Sequence, residues 1–349
     1  MSQELKDIQL QTGAIFLAGE TTPSSFNNDK DADNEAKIGV VIHHSPCGII
    51  KVSGEDRLRF LHNQTTNDFN RLQPGEGCET VFVTSTARTI DLVTAFVTEN
   101  AVLLLVSPHR RQQLLELMDR YIFPMDKVEL EDISPANVVF TLIGAKSDRL
   151  LQQLDVIEII GQPAANHTEV KIKDIPVRVG VGSGLKMPGY QLLVSREKSV
   201  QVWRELTEKG AIPIGDRLFE KLRIEQGKPT PDKELTEDYN PLEAGLWQTL
   251  SFNKGCYIGQ ETIARLNTYK GVKQRLWGIK LSAPVEVGTH ITVDESKVGI
   301  LTSCTETDTG AFGLAYIKTK AGGAGLKVDV GGVSGEVVNV PYLTHEYYQ

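Results

Sequence analysis

The sequence has little of the material that disulfide frameworks and metal centres require. Only four cysteines occur among its 349 residues, at positions 47, 78, 256 and 304, and no two of them form a C-x-x-C pair. That spacing is wrong for a zinc ribbon or for an iron–sulfur scaffold supplied by this chain alone. The seven histidines show neither an H-x-x-x-H nor an H-E-x-x-H pattern. We therefore expect no resident metal site.

An excess of positive charge and a long apolar run are also missing. The formal net charge is −8, which disfavours direct nucleic-acid binding driven by a global positive field. No apolar run reaches the length of a membrane span, and Ala101 to Val106 predicts only a buried strand. The first seven residues show neither the pattern of a secretory signal nor that of an organelle leader. We expect a cytoplasmic protein without membrane attachment.

Length and patterning predict several folded parts in an α+β chain. A chain of 349 residues is expected to form two or three domains. Residues 1–38 are expected to be an N-terminal extension in which Thr21 to Ala36, rich in polar residues, forms a flexible insertion. Residues 137–214 show a strand–helix–strand–strand–helix order, which favours a ferredoxin-like unit. Residues 271–349 show short alternating strands separated by turn residues, which favour a terminal β-barrel.

The segment from Lys254 to Glu261, K-G-C-Y-I-G-Q-E, concentrates unusual residues. Gly255 and Gly259 permit backbone conformations that a Cβ would forbid, so Cys256 is expected on a sharp bend. A short helix is expected to begin at Glu261, and a thiol near its N-terminus and near Lys254 would have its thiolate stabilised. The alternative is a small buried apolar residue in a structural turn.

A second segment places a carboxylate at an unfavourable position of a helix. The apolar spacing predicts a helix over residues 215–226, which ends at Gly227. Glu225 then lies in the last turn, where the helix dipole disfavours an anion. A functional use of this carboxylate is one explanation. A weak pair with Lys221 four residues earlier is the other.

Three motifs carry a resemblance to a known family. They are K-G-C-Y-x-G-Q-E at residues 254–261, R-x-E-x-G-x-P at 223–229 and F-L-x-x-Q-x-T-N-D at 60–68. Together they resemble the YgfZ-type folate-binding proteins, which are relatives of the glycine-cleavage T-protein. The resemblance implies a T-protein-like, three-domain architecture. In it, residues 39–136 and 215–270 form a discontinuous folate-binding domain that the ferredoxin-like domain interrupts.

The resemblance also implies a cofactor, tetrahydrofolate or a one-carbon derivative of it. Glu225 would accept hydrogen bonds from the amino-pyrimidine edge of the pterin, because a carboxylate offers two acceptors to adjacent N–H donors. The candidate cofactor-binding residues are Glu225, Arg223, Asn67, Glu243, Tyr257, Gln260 and Arg265.

Simpler structural roles stay open for some of these residues. Glu243 is also placed to cap a short helix after Pro241. The polar run that contains Asn67 is equally suited to satisfy the backbone at a helix end, and His62 is expected to be a satisfied surface residue.

The segment from Thr84 to Leu92 bears on the mechanism. T-proteins carry a glycine pair and two adjacent aspartates in the segment that it resembles, and an aspartate there assists aminomethyl transfer to tetrahydrofolate. This chain has Ala87 and Arg88 in place of the glycines, and Asp91 is followed by leucine. Asp91 is a candidate catalytic residue, or else an edge carboxylate paired with Arg88. The missing second acid argues against a genuine aminomethyltransferase.

The resemblance to the YgfZ-type proteins therefore implies a tetrahydrofolate-binding accessory protein that supports assembly or repair of iron–sulfur clusters in client enzymes, with tRNA-modifying enzymes as one class of client. Its partners would be iron–sulfur client or assembly proteins. The candidate catalytic residues are Cys256 as a reactive thiol, Lys254 and Asp91. The alternatives are a folate-dependent aminomethyltransferase of the glycine cleavage system and a relative that has lost folate binding.

Overall fold

The computed structural model describes residues 3–348. Within that range the helices are α1 (Gln3–Gln11), α2 (Asp29–Ile38), α3 (Arg57–Gln64), α4 (Arg111–Asp119), α5 (Ser147–Gln153), α6 (Ser199–Glu208), α7 (Asp216–Gln226) and α8 (Gln260–Thr268). The strands are β1 (Val41–Ser45), β2 (Gly48–Ser53), β3 (Gly77–Val83), β4 (Thr89–Val97), β5 (Ala101–Val106), β6 (Glu129–Asp132), β7 (Asn137–Ile143), β8 (His167–Ile172), β9 (Ile175–Val181), β10 (Gly189–Ser195), β11 (Ile212–Ile214), β12 (Gln274–Leu281), β13 (His290–Val293), β14 (Ser296–Thr307), β15 (Gly310–Lys318), β16 (Lys327–Val330) and β17 (Val333–Val338).

The chain divides into two compact units. The first comprises residues 1–60, 70–79 and 93–220, and the second comprises residues 61–69, 80–92 and 221–349. The three-domain division predicted from the sequence is a finer one, and its boundaries stay a prediction. Positions 1, 2 and 349 fall in the predicted terminal domains but lie outside the described residues.

A six-stranded sheet forms the main layer of the first unit. Its strand order is β11-β1-β7-β10-β9-β8, with β1 and β11 parallel and the other neighbours antiparallel. Strand β7, N-V-V-F-T-L-I, is buried along almost its whole length. One side of the sheet packs against α6, which contributes Val202, Trp203 and Leu206 to the largest apolar cluster. Val139 lies in a second apolar cluster, with Phe96 and Leu103, so β7 is buried on both faces, which explains its nearly continuous apolar run.

A five-stranded sheet has the order β3-β4-β5-β2-β6. All six residues of β5, A-V-L-L-L-V, are buried, which confirms the buried strand predicted for Ala101 to Val106. Within the first unit, Leu103 and Leu105 of this strand pack with Phe96 and Val139. The side chains of a strand in such a position are apolar on both faces, so no period-2 alternation appears in its sequence.

The C-terminal part of the second unit is a closed six-stranded barrel in the order β12-β15-β14-β13-β16-β17. Closure is made by antiparallel pairing of β12 with both β15 and β17. Alternate residues point inward, as in β16, where Val328 and Val330 are buried between exposed neighbours. The α+β class and the terminal barrel expected from the alternating pattern are both confirmed.

The flexible insertion expected for residues 21–36 is wrong. The second half of this segment belongs to α2, in which Ala32 and Ala36 are buried. Phe26 is also buried, and its ring stacks on that of Trp203 at a centroid distance of 6.1 Å. Composition misled the expectation, because a few apolar side chains at the right spacing are enough to hold a mostly polar segment on a core.

No helix among residues 3–348 combines the length and the apolar character needed to cross a bilayer.

His167 is a buried histidine of the first unit with both ring nitrogens bonded. Its Nε2 lies 2.9 Å from the Val97 carbonyl oxygen, and its Nδ1 lies 3.1 Å from Nη1 of Arg178. Because a guanidinium only donates, Nδ1 accepts and the ring is neutral with its proton on Nε2. Burial, and then the Arg178 charge, lower the pKa of His167 from 6.5 to about 4, against the opposing effect of the Val97 bond.

This histidine should make the protein sensitive to mild acid. The unfolded chain binds a proton on His167 near pH 6.5 and the native state only near pH 4, so stability is complete above the first value and falls toward the second. The contribution is at most about 3 kcal/mol. Urea unfolding at a series of pH values should show a shallower acid slope for His167→Gln than for wild type. The exposed His109→Gln serves as the control, and equal slopes for wild type and His167→Gln would contradict the assignment.

Candidate functional site

Helix α7 carries Glu225 and ends as its sequence predicts. Gly227 has a φ of +82°, its N–H bonds the Ile224 carbonyl at 3.1 Å, and the Lys228 N–H bonds the Arg223 carbonyl at 3.0 Å. These two bonds form the Schellman motif, which glycine accommodates best. A Cβ at Gly227 would lie 2.2 Å from a methyl carbon of Val340, so close packing also requires glycine there. The position of Glu225 in the last turn is therefore determined by the backbone.

The Glu225 side chain is 23% exposed, and one of its oxygens lies 3.9 Å from Nζ of Lys221. The Lys221–Glu225 pair that the sequence analysis gave as an alternative therefore forms, but its N···O distance is long for an ion pair. An exposed pair of this kind is worth only a few tenths of a kcal/mol. The Lys221 pair therefore contributes little to the stability of this helix end.

Arg223, two residues before Glu225, occupies a different environment. Its side chain is 4% exposed, and its guanidinium donates to Glu234 Oε2 at 3.0 Å, to the Lys228 carbonyl at 2.6 Å and to Ser303 Oγ at 2.8 Å. Glu234 is completely buried and also accepts from the hydroxyls of Thr302 and Ser303. Arg223 thus holds the chain after α7 against strand β14, and the sequence analysis missed Glu234 because no spacing links the two residues.

The cysteine loop leads into α8, which begins one residue before the predicted start. Its N-cap, Gly259, has a φ of +81°, and a Cβ there would lie 2.9 Å from the Thr84 carbonyl oxygen, so the expected bend does require this glycine. Gly255 has no such conformation, which corrects the expectation for that position. Cys256 is exposed, so its interpretation as a buried apolar residue is wrong.

Lys254 is a buried lysine next to this loop. Its ammonium donates three hydrogen bonds to main-chain carbonyl oxygens, those of His62, Thr65 and Asn67, and it lies 4.6 Å from the centre of the Tyr257 ring. The His62 carbonyl belongs to the last turn of α3 and the other two follow that helix, so all three lie at its C-terminal end, where the helix dipole and the unpaired C=O groups favour a cation. Lys254 therefore has a clear structural role, and its expected influence on the thiolate stays a prediction.

The polar run at the end of α3 satisfies backbone groups. The Thr65 hydroxyl donates to the Leu61 carbonyl at 2.9 Å, and the Thr66 hydroxyl donates to the Thr249 carbonyl at 2.9 Å. Asn67 Oδ1 accepts from the Asp68 N–H at 2.8 Å. The structural alternative offered for this run is therefore present, while Asn67 remains partly exposed.

Glu243 takes part in a reciprocal cap. Its Oε2 accepts from the Asn240 N–H at 3.2 Å, and Asn240 Oδ1 accepts from the Glu243 N–H at 3.0 Å. This arrangement is a capping box on a single turn of chain. Burial raises the pKa of Glu243, and the Arg88 guanidinium, 3.9 Å away, acts in the opposite direction. The capping role offered as an alternative is confirmed.

Asp91 is completely buried on β4, which lies between β3 and β5. The alternative interpretation placed Asp91 at the edge of the sheet, and this position is wrong because β4 is an inner strand. Arg88 donates to the Asp238 carbonyl at 2.9 Å. Ala87, which stands where the resemblance has a glycine, has a left-handed φ of +62°, so the turn keeps the backbone that glycine would favour.

Tyr257, Gln260 and Arg265 surround the start of α8. Gln260 Oε1 accepts from the Tyr257 N–H at 3.3 Å, and burial raises the pKa of the half-buried Tyr257 phenol. Arg265 is exposed on α8. Within residues 3–348, no group of three or more His, Cys, Asp or Glu side chains is arranged to hold a metal ion.

The expectation of a surface His62 is wrong. The residue is 6% exposed, and its Nδ1 lies 3.0 Å from Asp68 Oδ1. The sequence motif contained both residues, but six positions separate them, and only the turn after α3 brings them together.

Comparison with known proteins gives consistent results. The family model described as "GCVT N-terminal domain" matches residues 25–254. An Arabidopsis thaliana protein, whose name calls it a transferase and assigns it to the chloroplast, is 50% identical over 327 residues, which cover 93% of this chain and 76% of that protein. An aminomethyltransferase of Caldanaerobacter subterraneus subsp. tengcongensis is 28% identical over 333 residues, which cover 90% of this chain and 87% of the relative.

A solved structure shares the whole fold. Glycine cleavage system aminomethyltransferase T from Bartonella henselae matches with a TM-score of 0.85 and 16% sequence identity, and the match covers 99% of each chain. At this identity the likeness shows the fold. The expected T-protein architecture is thereby confirmed.

Replacing the buried ammonium should loosen the cysteine loop. Lys254→Met keeps an unbranched stem but leaves three carbonyls without their charged donor, and we expect the free energy of unfolding to fall by about 2–4 kcal/mol. Urea unfolding measures this loss, and amide hydrogen exchange should increase around the end of α3. The exposed Lys273→Met is the matched control. Equal stability of wild type and Lys254→Met would show that the three hydrogen bonds contribute nothing.

Proposed function

This chain belongs to the family of the GCVT N-terminal domain, and from that premise we propose that it is a tetrahydrofolate-binding accessory protein that supports assembly or repair of iron–sulfur clusters in client enzymes. Proteins of the family use tetrahydrofolate as substrate or cofactor, so the predicted ligand class is confirmed at the level of the family. The YgfZ-type specialisation is the finer part of the proposal, and the three sequence motifs support it.

The partly exposed carboxylate of Glu225 is the observation that carries the folate assignment. It occupies the last turn of α7, between the buried guanidinium of Arg223 and the tightly packed Gly227. The backbone that carries Glu225 is held in place at this helix end. A fixed backbone suits the recognition of two adjacent N–H donors, because it does not have to be ordered on binding. Arg223 acts in this proposal as the residue that positions the helix end rather than as a direct contact.

Cys256 is proposed as the reactive or contact residue. Its side chain is exposed, and its loop is fastened on both sides, by Lys254 and by the Ile258 N–H, which bonds the Asn63 carbonyl at 3.1 Å. A thiol held in this way can meet a partner without first ordering a loop. Tyr257, Gln260 and Arg265 border the same loop, and Asn67 and Glu243 remain candidate folate contacts.

A second candidate function is the folate-dependent aminomethyltransferase reaction, which the names of several relatives favour. The residues after Asp91 argue against it. Leu92 is buried in an apolar cluster with Val81 and Leu235, so the second acid of the T-protein segment has no counterpart there. We therefore place accessory function ahead of aminomethyl transfer.

Compartment and partners complete the proposal. A cytoplasmic location is proposed from the sequence, although one relative is named for the chloroplast. Iron–sulfur client or assembly proteins, with tRNA-modifying enzymes among the clients, follow from the resemblance, as does the assignment of residues 39–136 and 215–270 to the folate-binding domain.

Removing one acceptor from Glu225 should weaken folate binding. We expect Glu225→Gln to bind tetrahydrofolate about tenfold or more weakly, because a buried N–H donor of the pterin loses its charged partner. Titration calorimetry measures the affinity. Glu237→Gln, at an exposed position, removes the same charge and is the control, which should bind with the wild-type affinity. No heat from wild type would instead support a relative that has lost the cofactor.

A deletion strain separates the two functions. Complementation with wild type should restore the activity of cluster-containing enzymes, and Glu225→Ala or Cys256→Ala should restore much less, because each removes one proposed functional group. Enzymes without clusters serve as controls. The purified protein should form little methylene-tetrahydrofolate when a lipoyl carrier protein is supplied, and robust turnover in that assay would reverse the ranking.

A further inference from the structure

Two anchors fasten the cysteine loop to the end of α3. Before the cysteine, the Lys254 ammonium bonds the carbonyls of Thr65 and Asn67 at 2.7 and 2.6 Å. After the cysteine, the Ile258 N–H bonds the Asn63 carbonyl at 3.1 Å. Cys256 lies midway between these anchors, so the loop passes over the last turn of α3. His62 belongs to that turn.

The His62 ring is buried between an acid and the loop. Asp68 Oδ1 lies 3.0 Å from Nδ1, and a Cβ added to Gly255 would lie 3.5 Å from Nε2. Nε2 therefore faces the peptide that immediately precedes Cys256. It makes no hydrogen bond with the residues that the structure describes, although the side chain is only 7% exposed.

We propose that His62 is the base that accepts the proton of the Cys256 thiol, with Asp68 as the positioning residue that holds the ring. The inference rests on the proposed function, to which it adds the chemistry of the cysteine. The S–H bond breaks as an N–H bond forms at Nε2, and the neutral pair becomes a thiolate and an imidazolium. The Asp68 carboxylate, whose Oδ1 lies 3.0 Å from Nδ1, stabilises the imidazolium by its charge.

The charges around the ring suit a base that is neutral at rest. Burial, followed by the Lys254 ammonium, lowers the pKa of His62, and the Asp68 carboxylate acts in the opposite direction. The Tyr257 phenol, whose ring lies under the ammonium, stays uncharged because burial raises its pKa. His62 is therefore uncharged near neutral pH and able to accept a proton.

The same geometry gives Gly255 a function. Its backbone does not require glycine, and a methyl group would meet Nε2 at an ordinary contact distance rather than a clash. An alanine at this position should therefore fold normally while covering the ring nitrogen. This substitution tests the proton path without removing the histidine.

The test follows alkylation of the full-length protein by iodoacetamide over a range of pH. The thiolate attacks the methylene carbon, the C–I bond breaks and iodide leaves, and mass spectrometry of the Cys256 peptide reports the rate. Near neutral pH we expect His62→Gln and Gly255→Ala each to slow alkylation of Cys256 by about tenfold, the lower end of what a positioned base contributes. Asp68→Asn should slow it less, and the rates at Cys78 and Cys304 should not change.

The outcomes distinguish this inference from the proposed function. If Cys256 shows the same pH–rate profile in wild type, His62→Gln and Gly255→Ala, His62 is not its base, whatever the protein binds. Tetrahydrofolate titration of the same variants should give the wild-type affinity, because none of them touches Glu225. If wild type does not bind tetrahydrofolate, but its Cys256 is alkylated about tenfold faster than that of the two variants, the His62–Cys256 pair is supported. The folate assignment is then refuted. If His62→Gln does not fold, the alkylation rate of Cys256 in Gly255→Ala alone decides whether His62 is the base.

Discussion

A buried ammonium is the interaction on which the cysteine loop depends. Lys254 donates to three main-chain carbonyls at the C-terminal end of α3, and those carbonyls in turn determine where the residues after Lys254 can lie. A buried lysine without such acceptors would lose its charge or leave the interior. Because the acceptors belong to the backbone, the constraint depends on the path of the chain and not on particular side chains at positions 62–67. The exposure of Cys256 and the burial of His62 both follow from it.

Two glycines set the ends of the helices that present the candidate residues. Gly227 closes α7 and Gly259 opens α8, each with a left-handed φ and with neighbours closer than a Cβ allows. Glu225 lies two residues before the first glycine, and Cys256 lies three residues before the second. The two candidate residues are thus placed by local backbone geometry, because a side chain at either glycine would strain the backbone and meet its neighbours.

Sequence patterns predicted the features that depend on local signals. The barrel, the buried strand at Ala101 to Val106 and the end of α7 each have a period, a length or a glycine that marks them. The contacts that were missed join residues far apart along the chain, such as Arg223 with Ser303 and Lys254 with Asn67. No spacing rule reports a partner at that separation. The folded state of residues 21–36 was missed for another reason, because composition does not show that Phe26 finds a buried ring to pack on.

Burial distinguishes the candidate acidic residues from one another. Glu234 and Asp91 are completely buried, whereas Glu225 keeps an exposed fraction. The same criterion applies to position 92, next to Asp91. An acid in place of Leu92 would enter an apolar cluster, where an unpaired carboxylate costs several kcal/mol or stays protonated. The packing of this strand therefore disfavours an acid at position 92, and such an acid would require the neighbours of Leu92 to change with it.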